Sequence, residues 1–175
     1  MFIVVLFNSN VRLVKPDFSR DALLSVKWLK EDSGRDTLRL MGVPDKDIVE
    51  PTLEGERERI QSFLDREDQL NWMIEVDGHV VGAIWVDLER QGSVKAPAIH
   101  IMIGDPSARG QGVGSQAMQL AIDYLFQQGY STVYTRHRVG NTPVEKMSAR
   151  LGFVPDGDPY MDSDGLKWQN IHITK

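Results

Sequence analysis

One continuous segment, from Ile99 to Gln127, constrains the fold of this chain more than any other. It begins with an apolar run that ends at Ile103 and continues through turn residues to the loop sequence Arg-Gly-Gln-Gly-Val-Gly at 109–114. From Val113 onward, apolar residues recur at intervals of three and four, and Gly129 then supplies a stop signal. The segment therefore predicts a strand, a glycine loop and a helix, in that order.

The glycine loop has the composition of an anion-binding site. Gly110, Gly112 and Gly114 carry no Cβ atoms that would keep a ligand away from the backbone. The first N–H groups of a helix have no partner within the helix, and such a helix start binds phosphate groups. The spacing excludes the loop of nucleotide triphosphatases, which needs Gly-Lys-Ser/Thr. It also excludes the dinucleotide fingerprint, because Ser115 stands where a third glycine is required.

The remaining pattern, Arg-x-x-Gly-x-Gly at 109–114, resembles the pyrophosphate loop of the GNAT superfamily of N-acetyltransferases. A second motif agrees with it. GNAT proteins commonly carry an asparagine at the start of their fourth helix and end that helix with Leu-Gly-Phe, as Asn141 and Leu151-Gly152-Phe153 do here. The resemblance covers residues 11–175 in the order of the elements and is specific over residues 99–153.

Length and composition indicate one domain that spans residues 1–175. A chain of 175 residues buries about 70% of its unfolded surface. The early apolar run from Phe2 to Phe7 is too short to span a bilayer and lacks the features of a signal peptide, so no membrane anchor is expected. The absence of cysteine excludes disulfides, thiolate metal sites and a cysteine nucleophile, and it fits a cytoplasmic protein.

Charge and histidine spacing restrict the partners of the chain. A net charge of −5 argues against nucleic acid and permits a cationic substrate such as an amine. No metal site is expected, because the spacing of metal ligands is missing from the four histidines, His79, His100, His137 and His172.

The resemblance implies a mixed α/β (α+β) single domain with a central, mostly antiparallel, splayed sheet flanked by helices. Periodicity and turn residues predict strands at Val11–Val14, Asn71–Val76, Val80–Leu88, Ile99–Ile103, Thr132–His137, Phe153–Val154 and Leu166–Thr174. The same signals predict helices at Asp21–Lys30, Thr52–Asp65, Val113–Gln127 and Thr142–Leu151, with a loop and a short helix at Glu31–Pro51. Residues 1–10 fit either a further strand or an unusual start to the chain.

Three local signals set boundaries in this scheme. Asp77-Gly78 between two apolar runs predicts a hairpin turn. Ser19 or Asp21 is expected to cap the first helix. Thr142 and Glu145 form the pattern of a capping box at the last helix.

The resemblance implies acetyl-CoA as the co-substrate. Its pyrophosphate is expected on the glycine loop, held by backbone N–H groups and the helix dipole, with a charge-assisted contact from Arg109. A backbone N–H of Met102 or Ile103 is expected at the thioester oxygen. Asn141 is expected to cap its helix and to contact the pantetheine or the substrate. The expected cofactor-binding residues are Met102, Ile103, Arg109, Gly110, Gln111, Gly112, Val113, Gly114, Ser115 and Asn141.

The position of the general base departs from the GNAT pattern. GNAT enzymes often place a glutamate on the central strand, whereas this strand carries His100. Histidine exchanges protons near neutral pH, so His100 is the candidate base. A half-buried structural histidine is the other interpretation. Glu75, Asp87 and Glu89 are rival bases, each of which also fits a solvated side chain.

The position of the general acid also departs from the GNAT pattern. Many GNAT enzymes place a tyrosine on the fourth helix, seven residues after the asparagine, to protonate the leaving thiolate. Ser148 occupies that position here, and it either relays a proton or simply makes room. Tyr134 and Tyr160 are the alternative acids.

These patterns together predict an N-acetyltransferase that transfers an acetyl group to a primary amine by direct attack in a ternary complex. The acceptor is either a polyamine or aminoglycoside in an acidic pocket, or a peptide N-terminus; residues 31–51 and 155–166 are expected to decide between them. The alternative is a catalytically silent acyl-CoA-binding or regulatory module. A homodimer is implied by the resemblance alone.

Overall fold

The computed structural model describes residues 10–175, and the apolar start of the chain, with its two interpretations, lies almost entirely outside them. The strands are β1 Val11–Val14, β2 Gln69–Val76, β3 His79–Asp87, β4 Ala98–Ile103, β5 Thr132–Arg138, β6 Val154–Pro155, β7 Tyr160–Met161 and β8 Lys167–Thr174. The α-helices are α1 Phe18–Lys30, α2 Asp32–Leu40, α3 Leu53–Leu64, α4 Val113–Gln127 and α5 Thr142–Leu151.

All eight strands belong to one sheet, in the order β1-β2-β3-β4-β5-β8-β6, with β7 paired to β8. Every pairing is antiparallel except that of β4 with β5, which is parallel and joins Ala98 to Tyr134. Beyond that pair, β4 and β5 diverge. The expected mixed α/β fold with a mostly antiparallel, splayed sheet is confirmed.

The hairpin between β2 and β3 turns at the two residues that the sequence indicates. Asp77 and Gly78 have φ angles of 49° and 84°, as a type I′ turn requires, and glycine adopts this conformation without strain. A register shift between Ile74 and Glu75 then moves the pairing by one residue, so that Gln69 lies opposite Asp87. The shifted register brings the polar side chains of Gln69 and Asp87 together at the far end of the hairpin.

The two faces of the sheet are covered by different helices. On one face α4 packs its buried residues, among them Ala117 and Leu125, against Ile99 and Val133 in the main core. On the other face Trp28 of α1 packs with Met73 and Met102 in a second cluster. Each burial of a large apolar side chain stabilises the fold by about 1.5–3 kcal/mol. The central strands are therefore held from both sides.

The first helix begins earlier than its sequence signals predict. The N-cap is Asp17, whose carboxylate accepts a hydrogen bond from the Arg20 N–H at 2.8 Å. Asp21 lies inside the helix, is fully buried and accepts from the Asp17 N–H at 2.6 Å. The expected cap at Ser19 or Asp21 is therefore wrong, because Asp21 closes the first turn from within.

The start of α5 also differs from its prediction. The N-cap is Asn141, and its side chain makes no capping hydrogen bond. Glu145 accepts instead from the Gly140 N–H at 2.8 Å. The expected capping box of Thr142 and Glu145 is wrong, because Thr142 is already the first helical residue.

Two further differences concern the number of elements. The region predicted as a loop with a short helix contains α2 and a 3-10 turn at Asp45–Asp47. The region predicted as a turn-rich link before the last strand contains the short strand β7. Across residues 10–175, no helix is both long enough and apolar enough to cross a membrane.

Candidate functional site

The diverging edges of β4 and β5 enclose a cleft in the middle of the sheet, with a volume of about 140 Å³. One wall, here called the α5 side, includes Ile101, Met118, Asn141, Met147 and Ser148. The opposite wall, the α2 side, is formed by Leu40, Met41, Trp85, His100, Arg136 and Trp168. Side chains alternate across a strand, so neighbouring residues of β4, such as His100 and Ile101, line different walls.

The backbone of β4 is open toward the cleft at alternate residues. The Tyr134 N–H donates to the Pro97 carbonyl at 2.9 Å, so odd-numbered residues turn their backbone groups toward β5. By this alternation the N–H groups of Ile101 and Ile103 point toward the β5 side of the strand, whereas that of Met102 points toward β3. Of the two residues expected at the thioester oxygen, only Ile103 therefore has an N–H on the side of β4 where the strands diverge.

The glycine loop leads directly into α4. Gly112 is the N-cap of α4 with a φ of 81°, and Gly110 has a φ of 72°, so both adopt left-handed conformations that favour glycine. No side chain caps α4, and the space beside Gly110 is open. Gly114 has a different role: a Cβ there would lie 3.4 Å from Met147 Sδ, so glycine allows α4 and α5 to approach. The helix start therefore presents backbone donors to an open surface.

Polar side chains tie the loop to the end of β4. The Arg109 guanidinium donates to the carbonyl oxygens of Ile103 at 3.1 Å and Gly104 at 3.3 Å. The Gln111 amide donates to the Ser107 carbonyl at 2.6 Å. Arg109 thus fixes the loop relative to the strand with two of its N–H groups. Val113 is buried and Ser115 is half-buried, both in the first turn of α4.

The loop also carries a carboxylate with a perturbed pKa. Asp105 accepts from both the N–H and the hydroxyl of Ser107, at 2.9 and 2.7 Å. These hydrogen bonds lower the pKa of Asp105. Ionised Asp105 therefore stabilises the turn that begins the loop.

On the α2 side, His100 is held by two neighbours. Its Nε2 lies 2.9 Å from the Asp87 carboxylate, and its ring stacks on Trp85 with a centroid distance of 5.4 Å. Asp87 in turn accepts from the Gln69 amide at 2.5 Å. These contacts join β2, β3 and β4 in one polar chain that ends at the cleft.

Asp87 is an ionised carboxylate in a buried setting. Burial raises its pKa, but the hydrogen bonds from His100 and Gln69 outweigh this effect, and the pKa of Asp87 is lowered overall. The expectation that Asp87 is solvated is wrong, because it is buried behind His100. Among the other rival bases, Glu75 pairs with Arg12 and Glu89 is exposed.

On the α5 side, two polar side chains lack the partners that a purely structural role requires. Ser148 is buried, and its Oγ has no hydrogen-bond partner among residues 10–175. Asn141, at the start of the same helix, is also buried and makes no capping bond. A buried polar group without a partner costs about 1–3 kcal/mol. Both side chains line the cleft, so both are available to a bound molecule.

The two tyrosines considered as acids do not line the cleft. Tyr134 packs near the His172 ring at 6.1 Å. The Tyr160 hydroxyl bonds to Ser93 at 2.7 Å and to Arg136 at 3.2 Å. Neither hydroxyl is therefore placed to protonate a leaving group in the cleft.

Sequence reasoning missed three features of the site. It did not pair Asp87 with His100, and it did not name Arg136 or Trp168. The strand register places these residues together, and no short motif signals it. Within the described residues there is no cluster of three or more side chains suited to a metal ion.

The model of the acetyltransferase (GNAT) family matches residues 38–153 of this sequence, which is more than half of the chain. The chain belongs to the GNAT family. GNAT members are acetyltransferases, and their co-substrate is acetyl-CoA. Among curated proteins, no sequence matches this chain.

Solved structures confirm the GNAT fold. RimJ from Mycobacterium smegmatis, in complex with CoA-disulfide, has a TM-score of 0.77 at 21% identity, over 94% of this chain and 81% of that chain. The aminoglycoside acetyltransferase AAC(6')-Ib, in complex with coenzyme A, has a TM-score of 0.71 at 17% identity, over 96% and 95%. Spermidine N-acetyltransferase from Vibrio cholerae, in complex with CoA and spermine, has a TM-score of 0.70 at 14% identity, over 95% of both chains.

The residues of this chain fit the co-substrate of the GNAT family. The uncapped start of α4 suits a pyrophosphate, because its N–H groups and dipole favour negative charge. The open edge of β4 and the unpartnered Ser148 hydroxyl suit an extended polar chain in the cleft.

Proposed function

We propose that this protein is an N-acetyltransferase that transfers an acetyl group from acetyl-CoA to a primary amine by direct attack in a ternary complex. The observation that carries the proposal is the Asp87–His100 pair at the wall of the cleft, with Nε2 and the carboxylate oxygen 2.9 Å apart. A base is required because a free alkylamine is protonated at neutral pH, with a pKa of about 10.

In this proposal the glycine loop binds the pyrophosphate. The backbone N–H groups of Gly110 to Gly114 supply the donors, and Gln111, Val113 and Ser115 complete the turn around them. Arg109 holds the loop against β4 through the carbonyls of Ile103 and Gly104 and adds positive charge nearby. Asn141, whose side chain is not used in capping, contacts the pantetheine arm or the acceptor.

His100 acts as the general base. Because an ionised carboxylate can only accept, Asp87 fixes the proton of His100 on Nε2 and leaves the lone pair on Nδ1. Nδ1 then removes the proton of the ammonium, and the neutral nitrogen attacks the acetyl carbon. The N–H of Ile103 stabilises the negative charge that develops on the carbonyl oxygen, an effect worth about 3 kcal/mol for one donor.

The leaving sulfur needs little help from an acid. A thiol of the cysteine type has a pKa of about 8.5, so it can depart as a thiolate near neutral pH. As the C–N bond forms and the C–S bond breaks, the attacking nitrogen loses its second proton to the thiolate or to solvent. Ser148 lies buried beside the cleft with a free hydroxyl, and it donates a hydrogen bond to the bound molecule or to the departing sulfur. This arrangement would replace the tyrosine that many GNAT enzymes use.

The proposal is tested by thiol release from acetyl-CoA with a panel of amines, for the wild type, His100→Ala and a control, His79→Ala, which alters an exposed histidine on β3. We expect turnover with one class of amine and a fall in kcat of about 10²–10⁴ in His100→Ala. The loss should shrink at high pH, where more of the amine is already neutral, and His79→Ala should match the wild type.

Two results would contradict the proposal. Turnover in His100→Ala equal to the wild type at all pH values would exclude His100 as the base. Binding of coenzyme A by calorimetry without turnover of any amine would instead indicate a silent acyl-CoA-binding module. We further propose, on the family resemblance alone, that the protein acts as a homodimer in the cytoplasm.

A further inference from the structure

The α2 side of the cleft carries positive charge and no carboxylate. Arg136 and His100 line this wall together with apolar and aromatic side chains, and no aspartate or glutamate of the described chain lines any part of the cleft. The cleft that residues 10–175 form therefore lacks the acidic lining considered for a polyamine or aminoglycoside. The wall suits an acceptor that brings negative charge of its own.

Arg136 is held in place by contacts that leave it without a directly paired carboxylate among residues 10–175. Its guanidinium carbon lies 4.2 Å from the centroid of the Trp168 ring, and Nη1 donates to the Tyr160 hydroxyl at 3.2 Å. Trp168 is itself buried. Throughout the described part of the chain, no carboxylate comes within 4.0 Å of the Arg136 guanidinium nitrogens. A stacked guanidinium of this kind presents its remaining N–H groups in a fixed plane, which matches a carboxylate.

One carboxylate, Asp162, interacts with Arg136 through space: hydrogen bonds from Leu166 and Trp168 and, to a smaller extent, the charge of Arg136 lower the pKa of Asp162. Asp162 accepts from the Leu166 N–H at 2.8 Å, the Asp164 N–H at 3.0 Å and the Trp168 indole N–H at 2.7 Å. It therefore orients Trp168 under Arg136 instead of pairing with the guanidinium. The second arginine of this face, Arg138, donates to the Arg39 carbonyl at 2.9 Å and adds to the positive charge.

Strand register places Arg136 opposite the proposed base. Ala98 pairs with Tyr134, and His100 and Arg136 each follow two residues later, on the same face of the sheet. They lie on the two diverging strands, and both line the cleft. An acceptor in the cleft can therefore contact both side chains.

From this juxtaposition we infer that the acceptor is an amine with a carboxylate a few bonds from its nitrogen, bound by Arg136 while the amine faces His100. This inference rests on the proposed acetyl transfer and specifies its substrate class. Two sources share the chemistry: a free amino acid and a peptide N-terminus with an acidic residue next to it. A polycation is disfavoured, because its second charge would lie near Arg136 and Arg138 with no carboxylate to pair with.

The test compares acceptors that differ only in the carboxylate. L-alanine is paired with L-alaninamide, and a C-terminally amidated hexapeptide with aspartate as its second residue is paired with the same peptide carrying asparagine. For each pair, the ratio of kcat/KM values from thiol release is compared between the wild type and Arg136→Gln. The same two acceptors are used with the wild type and with Arg136→Gln. Any effect of their different basicities is therefore the same for both proteins and cancels in the comparison.

We expect one pair to show a preference for the carboxylate that falls about tenfold or more in Arg136→Gln, as expected for a hydrogen-bonded charge pair. Arg136→Lys should retain part of the preference because it keeps the charge. Arg57→Gln, which removes an exposed positive charge on α3, should retain all of it. The pair that responds identifies the source of the carboxylate. An unchanged ratio for both pairs, or a higher kcat/KM with spermidine than with either carboxylate, would overturn the inference.

Failure of the transferase itself is distinguishable. If no acceptor, including spermidine, releases thiol, the proposed function fails, and the same acceptors are titrated by calorimetry into the protein saturated with coenzyme A. Binding of a carboxylate-bearing amine that is lost in Arg136→Gln would still support the recognition role of Arg136. Equal binding by both proteins, or no binding, would overturn it.

Discussion

The two walls of the cleft are built in different ways. Most of the α5 side comes from one continuous stretch, Asn141 to Ser148, and it presents small polar groups. The glycine loop at 109–115, which presents backbone donors at the start of α4, is likewise one continuous stretch. The α2 side combines single residues from distant segments, such as Leu40, His100 and Trp168. A wall built from short sequence motifs suits a ligand that all members of a family share. A wall built from residues far apart in the sequence can instead differ between members that use different acceptors.

The strongest test of this division is Asp87→Asn, on the α2 side. The asparagine amide N–H would face His100 Nε2 while its oxygen keeps the hydrogen bond from Gln69, so the proton of His100 would move to Nδ1 and the base would be lost. We expect kcat to fall about a hundredfold with an unchanged calorimetric Kd for coenzyme A. Asp156→Asn, which breaks a surface pair with Lys95, is the matched control. A changed Kd would show that the walls are not independent.

The corresponding test for the locally encoded part of the site is Gly112→Ala in the glycine loop, with Gly129→Ala as its control. The two glycines lie at opposite ends of α4 with φ angles of 81° and 95°, and neither has atoms close enough to clash with a new Cβ. Both substitutions should lower the free energy of unfolding by about 1–2 kcal/mol. Only Gly112→Ala should weaken coenzyme A binding, by about tenfold, because relief of that strain moves the loop donors. Equal Kd values would remove the loop from the binding site.

A smaller effect is expected at Ser148. Ser148→Ala removes a buried hydroxyl without a partner, so the free energy of unfolding in urea should rise by about 1 kcal/mol without ligand. Ser25→Ala should have the opposite sign, because Ser25 accepts a hydrogen bond from Arg59 at 2.7 Å. Coenzyme A should stabilise Ser148→Ala less than the wild type. Loss of stability in the ligand-free variant would indicate a hidden partner for the hydroxyl.

The smallest expected effect is on the pH dependence of stability. The pKa values of Asp87 and Asp105, one from each wall region, are lowered in the folded protein. The stability that each ionised carboxylate adds to the folded protein is therefore fully present well above the unfolded pKa of about 3.9. It is lost as the pH falls through the folded pKa. Asp87→Asn and Asp105→Asn should each flatten the fall in stability between about pH 5 and pH 3. Unfolding curves as steep as that of the wild type would contradict the assignment.

The locally encoded part of the site and the α2 side also differ in how well the sequence predicts them. The strand, loop and helix between Ile99 and Gln127 were predictable because glycine conformation and helical spacing are local properties. The turn at Asp77-Gly78 was predictable for the same reason. The cap of α5 was predictable only in part. Asn141 holds the N-cap position, as expected, but its side chain makes no capping bond, and Glu145 accepts from the Gly140 N–H instead.

The α2 side could be predicted only in part. His100 was identifiable from its position on the central strand, but its partner Asp87 is brought to it by the pairing of Trp85 with His100 and of Asp87 with Ala98. The stack of Arg136 on Trp168 depends on the pairing of β5 with β8, two strands separated by α5 and a long connection. Such contacts depend on register across the whole sheet, and hydrophobic periodicity does not specify register between distant strands.

The divergence of β4 and β5 also bears on solubility. An unpaired strand edge offers a row of free N–H and C=O groups, and on an outer strand such a row recruits other chains and promotes aggregation. Here the free edge lies in the interior of the sheet, faces another strand and is closed at one end by the pair of Ala98 and Tyr134. The free edge can therefore form hydrogen bonds with an extended ligand, but the strands of neighbouring molecules cannot reach it.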